Sequence, residues 1–164
     1  MSEAICEKKI AKILSAANVA FSARFVGATV RDSWECDAWR VTLKGARSQY
    51  ESDYFTGLGH RAKPGAVDAL RMRNKYGKSA ERTQEWRDAC KPVPPDAADV
   101  LWSLLMDSSA ENIGFADWCA ECGYSADSIK ALKTYHACQE TARNLRLVFT
   151  HAQIAELSEA LQDF

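Results

Sequence analysis

The chain has 164 residues, of which 47% are hydrophobic and 26% are charged, and its formal net charge is −1. This composition supplies enough apolar material for one domain, or two small ones, with a hydrophobic core, and it argues against a disordered chain. No run approaches the ~18 apolar residues of a membrane span, and the chain does not start like a secretory signal. We therefore expect a cytoplasmic protein whose six irregularly spaced cysteines are reduced thiols.

The charges are distributed unequally along the chain. Residues 1–91 contain 17 Lys+Arg against 11 Asp+Glu, a net charge of +6, whereas residues 92–164 contain 4 against 11, a net charge of −7. Basic surfaces favour phosphate groups and acidic surfaces favour basic clefts. The two parts of the chain are therefore expected to face different partners.

The spacing of apolar residues in the first third predicts one helix and three strands. Residues 3–17 follow a helical spacing, and from residue 21 the spacing changes to two. The clearest alternation places Trp39, Val41 and Leu43 on one face, which is typical of a half-buried antiparallel strand. Further strands are predicted at 22–30 and 48–55. Residues 1–60 are thus expected to form an α-β-β-β unit with an antiparallel sheet.

Two turns are predicted between these strands. Asp32 and Ser33 separate the first two, and residues 44–47 separate the second and third. Gly45 would supply a positive φ in the second turn if one is required.

Residues 61–91 form a basic crossover. Pro64-Gly65 and Tyr76-Gly77 break it into short pieces, which predicts a loose and mostly exposed segment. A short helix is expected near residues 79–90, from which Trp86 docks on the core.

Residues 92–164 predict an acidic bundle of about four helices, which makes the protein α+β in class. Asp96 is expected to cap the first of these helices, Gly123 to end the second, and a long helix to start at Ser125. Thr150 and Gln153 match a capping box for the last helix. Four apolar residues of that helix are expected to face inward, namely Ile154, Leu157, Leu161 and Phe164.

Cysteines near the middle of the acidic bundle could belong to a zinc site or could simply be buried structural thiols. Cys119 and Cys122 have the spacing of zinc ligands, and His136 with Cys138 would complete a set of four. However, both cysteines share a helical stripe with Phe115, and a free cysteine behaves as a small hydrophobic residue. Structural thiols are preferred over zinc or redox chemistry, and no cofactor is expected.

No catalytic constellation stands out. His60 follows a predicted strand among glycines and cations, but no nucleophile or paired carboxylate is spaced to act with it, so a turn histidine is preferred. Two sets of acidic residues could each hold a divalent ion, although ordinary solvated carboxylates are the simpler interpretation. These groups are Glu51 with Asp53 on a strand, and Asp32, Glu35 and Asp37 around a turn.

Cations of the basic crossover offer a route to nucleic acid beside aromatics predicted to be exposed, such as Tyr50, Tyr54 and Tyr76, since cations contact phosphates and aromatic rings stack on bases. The α-β-β-β order is also similar to that of a double-stranded RNA-binding domain. A merely solvated basic surface is the alternative. The candidate nucleic-acid-binding residues are Arg61, Lys63, Arg71, Arg73 and Lys75.

Six stretches of the chain carry a resemblance to known proteins, namely Asp53-Tyr-Phe-Thr-Gly-Leu-Gly-His60, Pro95-Asp-Ala-Ala-Asp-Val-Leu101, Ser103-Leu-Leu-Met-Asp-Ser-Ser-Ala110, Phe115-Ala-Asp-Trp-Cys119, Gly123-Tyr-Ser-Ala-Asp-Ser-Ile-Lys130 and Tyr135-His-Ala-Cys138. With these stretches the chain resembles, over nearly its whole length, a widespread family of small phage and prophage proteins to which no activity is assigned. Phage accessory proteins of this size often block host defences by binding, as anti-CRISPR and anti-restriction proteins do, so the resemblance implies such a role by association. It transfers no catalytic residue.

We therefore expect a phage-encoded binding protein that inhibits a defence complex such as CRISPR–Cas in the cytoplasm of the bacterial host. One alternative is a nucleic-acid-binding accessory protein of phage replication or regulation, and another is a nuclease that uses the strand carboxylates. In one mechanism the basic half of the chain would bind a guide or target strand. In the other, the acidic helices would enter a basic nucleic-acid channel through candidate protein-binding residues at Asp96, Asp99, Glu111, Asp117 and Glu121. The sequence does not indicate an oligomeric state.

Overall fold

A computed structural model describes residues 3–162 of the chain. One helix precedes a three-stranded sheet and the other helices follow it, which confirms the α+β class. In the described residues the strands are β1 (Ala20–Arg31), β2 (Trp34–Lys44) and β3 (Gln49–Gly57). The helices are α1 (Glu3–Ala17), α2 (Ala66–Tyr76), α3 (Gln84–Ala89), α4 (Ala97–Ser108), α5 (Phe115–Cys122), α6 (Ile129–Val148) and α7 (His151–Ala160). Three short 3-10 helices lie at Leu58–His60, Gly77–Arg82 and Ser109–Asn112.

The sheet has the strand order β1-β2-β3, with β2 in the centre. Asp32 and Ser33 form the predicted turn with φ values of 49° and 71°, as the two-residue turn of an antiparallel hairpin requires. The predicted alternation of β2 is confirmed, because Trp39, Val41 and Leu43 are all buried. Apolar side chains at every second position therefore fix which face of this strand turns inward.

Gly45 does not adopt a positive φ. Within residues 3–162, the glycines with positive φ are Gly27, Gly77 and Gly123. The longer turn between β2 and β3 closes instead through the Gly45 N–H, which donates to the Ser48 carbonyl oxygen at 2.8 Å.

The chain folds into two compact units, each assembled from separate stretches of sequence. The acidic unit comprises Met1–Ser22, Val41–Ser52 and Asp96–Phe164, and the basic unit comprises Ala23–Arg40 and Asp53–Pro95. The acidic unit contains 9 Lys+Arg against 14 Asp+Glu, a net charge of −5, and the basic unit contains 12 against 8, a net charge of +4. The predicted segments 1–60, 61–91 and 92–164 follow chain order, whereas the compact units draw on separate stretches.

The acidic unit is held together by packing of α1, α4, α6 and α7. Ile10, Leu101, Leu145 and Leu157 are each at most 1% exposed. The first and last of these helices are also joined by a hydrogen bond from the Cys6 thiol to the Ala160 carbonyl oxygen at 3.3 Å. The four helices predicted after residue 92 are present as α4 to α7.

The predicted helix ends agree well with the structure. The Asp96 carboxylate accepts from the Asp99 N–H at 2.9 Å, and Thr150 forms its capping box with Gln153. Gly123 ends α5 in the left-handed conformation, with a φ of 76°.

Two details of the last helices need comment. The long helix α6 begins at Ile129, later than the predicted Ser125, because the Ser128 side chain caps it. In α7, Leu157 and Leu161 are buried and Ile154 is half-buried, whereas Phe164 lies outside the described residues.

The prediction of a loose crossover at 61–91 is wrong, although most residues of the segment are exposed as expected. The segment forms α2, a 3-10 helix and α3 around a cluster of Ala69, Met72, Ala80 and Trp86. Gly65 and Gly77, which suggested breaks, are the N-cap and C-cap residues of α2. Trp86 is buried as expected, but within this local cluster.

No helix within residues 3–162 is both long enough and apolar enough to cross a lipid bilayer.

Candidate functional site

The most deeply buried charge among the described residues belongs to Asp37, on the same face of β2 as Trp39. Asp37 is 1% exposed and accepts two hydrogen bonds from Arg61, from Nε to Oδ2 at 2.9 Å and from Nη2 to Oδ1 at 2.6 Å. The hydrogen bond to Asp37 is the main cause that raises the pKa of Arg61, with burial opposing it. This bidentate pair offsets the cost of removing both charges from water.

Asp37 corrects one sequence-based interpretation. It was grouped with Asp32 and Glu35 as a solvated turn carboxylate; those two are exposed, but Asp37 is buried. The signal was present in the sequence, because Asp37 lies two residues before Trp39 and so shares its inward face. Its partner Arg61 lies 24 residues away, and no local pattern links the two.

Two neighbouring cavities open beside this ion pair, and both lie within the basic unit. Their volumes are about 360 Å³ and 490 Å³. Leu58, Arg61 and Arg87 line both of them. Trp86 and Cys90 add apolar walls to the larger cavity.

The cations of α2 are engaged by carboxylates of the same unit. Glu85 accepts from Arg71 Nη1 at 2.6 Å, from the Tyr76 hydroxyl at 2.6 Å and from Lys75 Nζ at 3.5 Å. Arg73 Nη2 lies 3.3 Å from a Glu81 oxygen. These bonds join α2 to the 3-10 helix and to α3.

The candidate nucleic-acid-binding residues are therefore in different situations. Arg71, Arg73 and Lys75 share α2 and are ion-paired, and Arg61 is bound to buried Asp37. Lys63 is exposed and makes no side-chain ion pair with another described residue. Their role in nucleic-acid binding stays a prediction.

The Glu85 cluster predicts a specific acid sensitivity. Hydrogen bonds from Arg71 and Tyr76 lower the pKa of Glu85 to about 2. A carboxyl group whose pKa is depressed by folding stabilises the fold above its unfolded pKa of ~4.3, and this contribution is lost as the pH falls through the folded value. We expect the difference in unfolding free energy between wild type and Glu85→Gln to be constant above pH ~5 and to shrink towards pH ~2. Urea denaturation across this range measures it; a difference independent of pH would contradict the assignment.

Several cations of the basic unit have no side-chain ion pair with another described residue. An isolated β-bridge pairs Ala62, the neighbour of Lys63 in the chain, with Lys91 through backbone hydrogen bonds of 2.7 and 3.1 Å, so the two lysines lie on neighbouring stretches of backbone. Sequence reasoning named Lys63 and missed the others, since pairing cannot be read from composition. The cations without such an ion pair are Arg24, Arg31, Lys63, Lys78, Arg82, Arg87 and Lys91.

The candidate protein-binding carboxylates lie at α4, at the 3-10 helix that follows it and on α5. Asp96 serves as the N-cap of α4. Glu111 accepts from Arg146 Nη2 at 2.6 Å, and this hydrogen bond lowers its pKa. Asp117 and Glu121 are exposed on α5. Glu111 is therefore exposed but paired with Arg146 of α6.

Sequence reasoning missed an apolar pair on the outer face of α4. Trp102 is 44% exposed and Met106 is 57% exposed, and they lie four residues apart, so they are neighbours on the helix surface. Both fall outside the buried stripe of Val100, Leu101 and Leu104. A large aromatic residue outside the apolar stripe was the signal that could have revealed this surface.

The four candidate zinc ligands are not assembled. Cys119 is buried beside Trp118, Cys122 is exposed, and the exposed His136 has its Nδ1 3.3 Å from Oε1 of Gln139. Within residues 3–162 no group of three or more His, Cys, Asp or Glu side chains is placed to hold a metal ion.

The thiols are expected to differ in reactivity. Burial, together with the charges of Asp107 and Cys122, raises the pKa of Cys138 to about 11, and burial also raises the pKa of Cys119. Because the thiolate is the nucleophile, Cys138 should react about 100-fold more slowly at pH 8 than an exposed thiol of ordinary pKa. Among these three, Cys122 should be labelled first by a disulfide reagent, and Cys122→Ser should remove that fast phase. Persistence of the fast phase in this variant would contradict the expectation.

The remaining polar candidates are dispersed. His60 is exposed at the end of the 3-10 helix Leu58–His60. Asp53 pairs with Arg40 at 3.3 Å, and Glu51 accepts from the Gln49 side chain at 2.8 Å. These strand carboxylates are thus committed to neighbouring side chains.

None of the family models, curated proteins and solved structures with which the chain was compared matches it. The fold and the surfaces described above define an α+β protein with an acidic unit and a basic unit.

Proposed function

We propose that this chain is a phage-encoded, non-enzymatic binding protein that inhibits a bacterial defence complex of the CRISPR–Cas kind in the host cytoplasm. The phage origin rests on the resemblance described in the sequence analysis. The observation that carries a binding role is the exposed pair Trp102 and Met106 on α4.

This pair has the composition of a protein-binding surface. Trp and Met are enriched at interfaces, and burying a large aromatic residue contributes strongly to binding free energy. The surrounding unit has a net charge of −5, and exposed Asp117 and Glu121 contribute to it. A defence complex that holds guide and target strands presents a positively charged channel, so an acidic surface with an apolar anchor is complementary to it.

Binding to a purified CRISPR effector complex tests the proposal. We expect the double variant Trp102→Ala, Met106→Ala to bind at least ~10-fold more weakly and to lose inhibition of target-DNA cleavage. Val67→Ala is the matched control, because Val67 is 83% exposed and lies on α2 of the other unit. Undiminished inhibition by the double variant would exclude the α4 surface, and no inhibition of several CRISPR and restriction systems by the wild type would exclude the role.

A second candidate is a nucleic-acid-binding accessory protein of phage replication or regulation. The net charge of +4 on the basic unit and its unpaired cations favour this function. Each phosphate contact that is lost should reduce the slope of the logarithm of the binding constant against the logarithm of salt concentration by about one. The variant Lys63→Glu, Lys91→Glu should therefore weaken binding to a single strand and flatten its salt dependence, whereas affinity that is indifferent to salt argues against this candidate.

A further inference from the structure

We propose that Arg61 and Arg87 form a binding site for a phosphate group where the two cavities of the basic unit meet. This site is independent of the α4 surface and goes beyond the function proposed above.

Arg61 is held in place for such a role. Asp37 takes hydrogen bonds from Nε and Nη2 of its guanidinium, so Nη1 is left with both of its donors. The Arg61 side chain is 18% exposed and lines both cavities. An arginine fixed by a buried carboxylate loses little conformational entropy when it binds a ligand, which makes its remaining donors effective.

Arg87 supplies the second cation. It lies in the last turn of α3, is exposed, lines both cavities and makes no side-chain ion pair with another described residue. All of its donors are therefore available. A phosphate group has enough acceptor oxygens to bridge two guanidinium groups, and arginine–phosphate pairs are frequently bidentate.

Carboxylate side chains also line the cavities, and an unpaired carboxylate would repel a bound phosphate. Asp88 accepts from the Gln84 side chain at 2.8 Å, and Glu81 lies 3.3 Å from Arg73. These two are therefore directed towards other donors. Glu35 lines only the smaller cavity, so the larger one is the more suitable for an anionic group.

The walls of the larger cavity define the rest of the ligand. Leu58, Trp86 and Cys90 provide apolar contacts, and a volume of about 490 Å³ suits an organic group attached to the phosphate. The expected ligand is a phosphate group joined to an apolar or aromatic group. Either a small phosphate monoester or a phosphodiester of a nucleic-acid strand has this chemistry.

The site can be tested by following the side-chain Nε–H signals of both arginines by NMR. Three probes are added at constant ionic strength: inorganic phosphate, a nucleoside 5′-monophosphate, and a short single-stranded oligonucleotide without terminal phosphates. We expect saturable shifts at Arg61 and Arg87, and about tenfold weaker binding by Arg87→Ala. Arg82→Ala is the matched control for inorganic phosphate and the monophosphate, since Arg82 is also exposed and unpaired but lines neither cavity.

The relative affinities of the probes show which kind of phosphate the site binds. Tighter binding of the monophosphate supports a small-molecule site, and tighter binding of the oligonucleotide supports a strand. No saturable shift with any probe overturns the proposal, as does binding that Arg87→Ala leaves unchanged. Because Arg87 is exposed and forms no side-chain ion pair with another described residue, a change in binding caused by its substitution reports on the ligand.

Discussion

Replacing Arg61 with alanine is expected to lower the free energy of unfolding by ~3–5 kcal/mol, because it leaves the Asp37 carboxylate buried without a counter-charge. Asp37 is 1% exposed, and Arg61 contacts it at 2.6 and 2.9 Å. Urea denaturation at neutral pH measures the loss. The predicted loss of unfolding free energy comes from the buried Asp37 charge that is left uncompensated, and it does not measure the net contribution of the ion pair.

Two further variants separate these effects. The double variant Asp37→Leu, Arg61→Met should recover most of the loss, because replacing a buried ion pair by apolar residues is often close to neutral. The exposed pair of Arg40 and Asp53 is the control; Asp53→Ala should cost below ~1 kcal/mol. Equal losses for Arg61→Ala and Asp53→Ala would show that the Asp37 site is solvated.

Replacing Trp86 with alanine is expected to lower the free energy of unfolding by ~3–5 kcal/mol, as for other large aromatic residues in a core. Trp86 is the largest member of a small cluster with Ala69, Met72 and Ala80, and the Arg73 guanidinium lies 5.4 Å from its ring centroid. Because few other apolar residues hold α2 and α3 together, the loss should be local. Hydrogen exchange should show faster exchange of the α2 and α3 amides than of the α6 amides.

Trp34 provides the matched control for this prediction. It is 55% exposed at the start of β2, so Trp34→Ala should change the free energy of unfolding by less than ~1 kcal/mol. If Trp86→Ala instead accelerated exchange uniformly through the chain, the two units would unfold as one.

The parts of the fold that sequence reasoning predicted well are governed by local rules. The alternation in β2, the Asp32-Ser33 turn and the Thr150 capping box depend on residues within a few positions of one another. The same holds for Gly123, which ends α5 because a residue without a Cβ enters the left-handed conformation at little cost.

The crossover could not be predicted in this way. Gly65 and Gly77 occur at the two ends of α2, and such glycines indicate a loop as readily as a helix boundary. The charges that suggested a solvated segment are paired across elements, as Arg71 and Glu85 are. Only the tertiary arrangement shows which cations are left unpaired, and this is why Arg87 was missed while Arg71 was named.

For the candidate surfaces, too, some features could be predicted from the sequence and others depended on tertiary structure. Net charge predicted that one part of the chain is basic and another acidic, and the compact units preserve this difference at +4 and −5. The individual side chains, such as Trp102 on α4 and Arg61 beside the cavities, depended on burial that no local pattern specifies.

The packing of α1 against α7 has a consequence for biosynthesis. Ile10 and Leu14 are buried in the finished protein, yet α7 leaves the ribosome long after they do. The nascent chain therefore carries an incompletely covered apolar helix until α7 has been made, and transiently exposed apolar surface is prone to aggregation. A premature stop before α7 would leave one side of this helix permanently uncovered and would direct the fragment to aggregation or proteolysis.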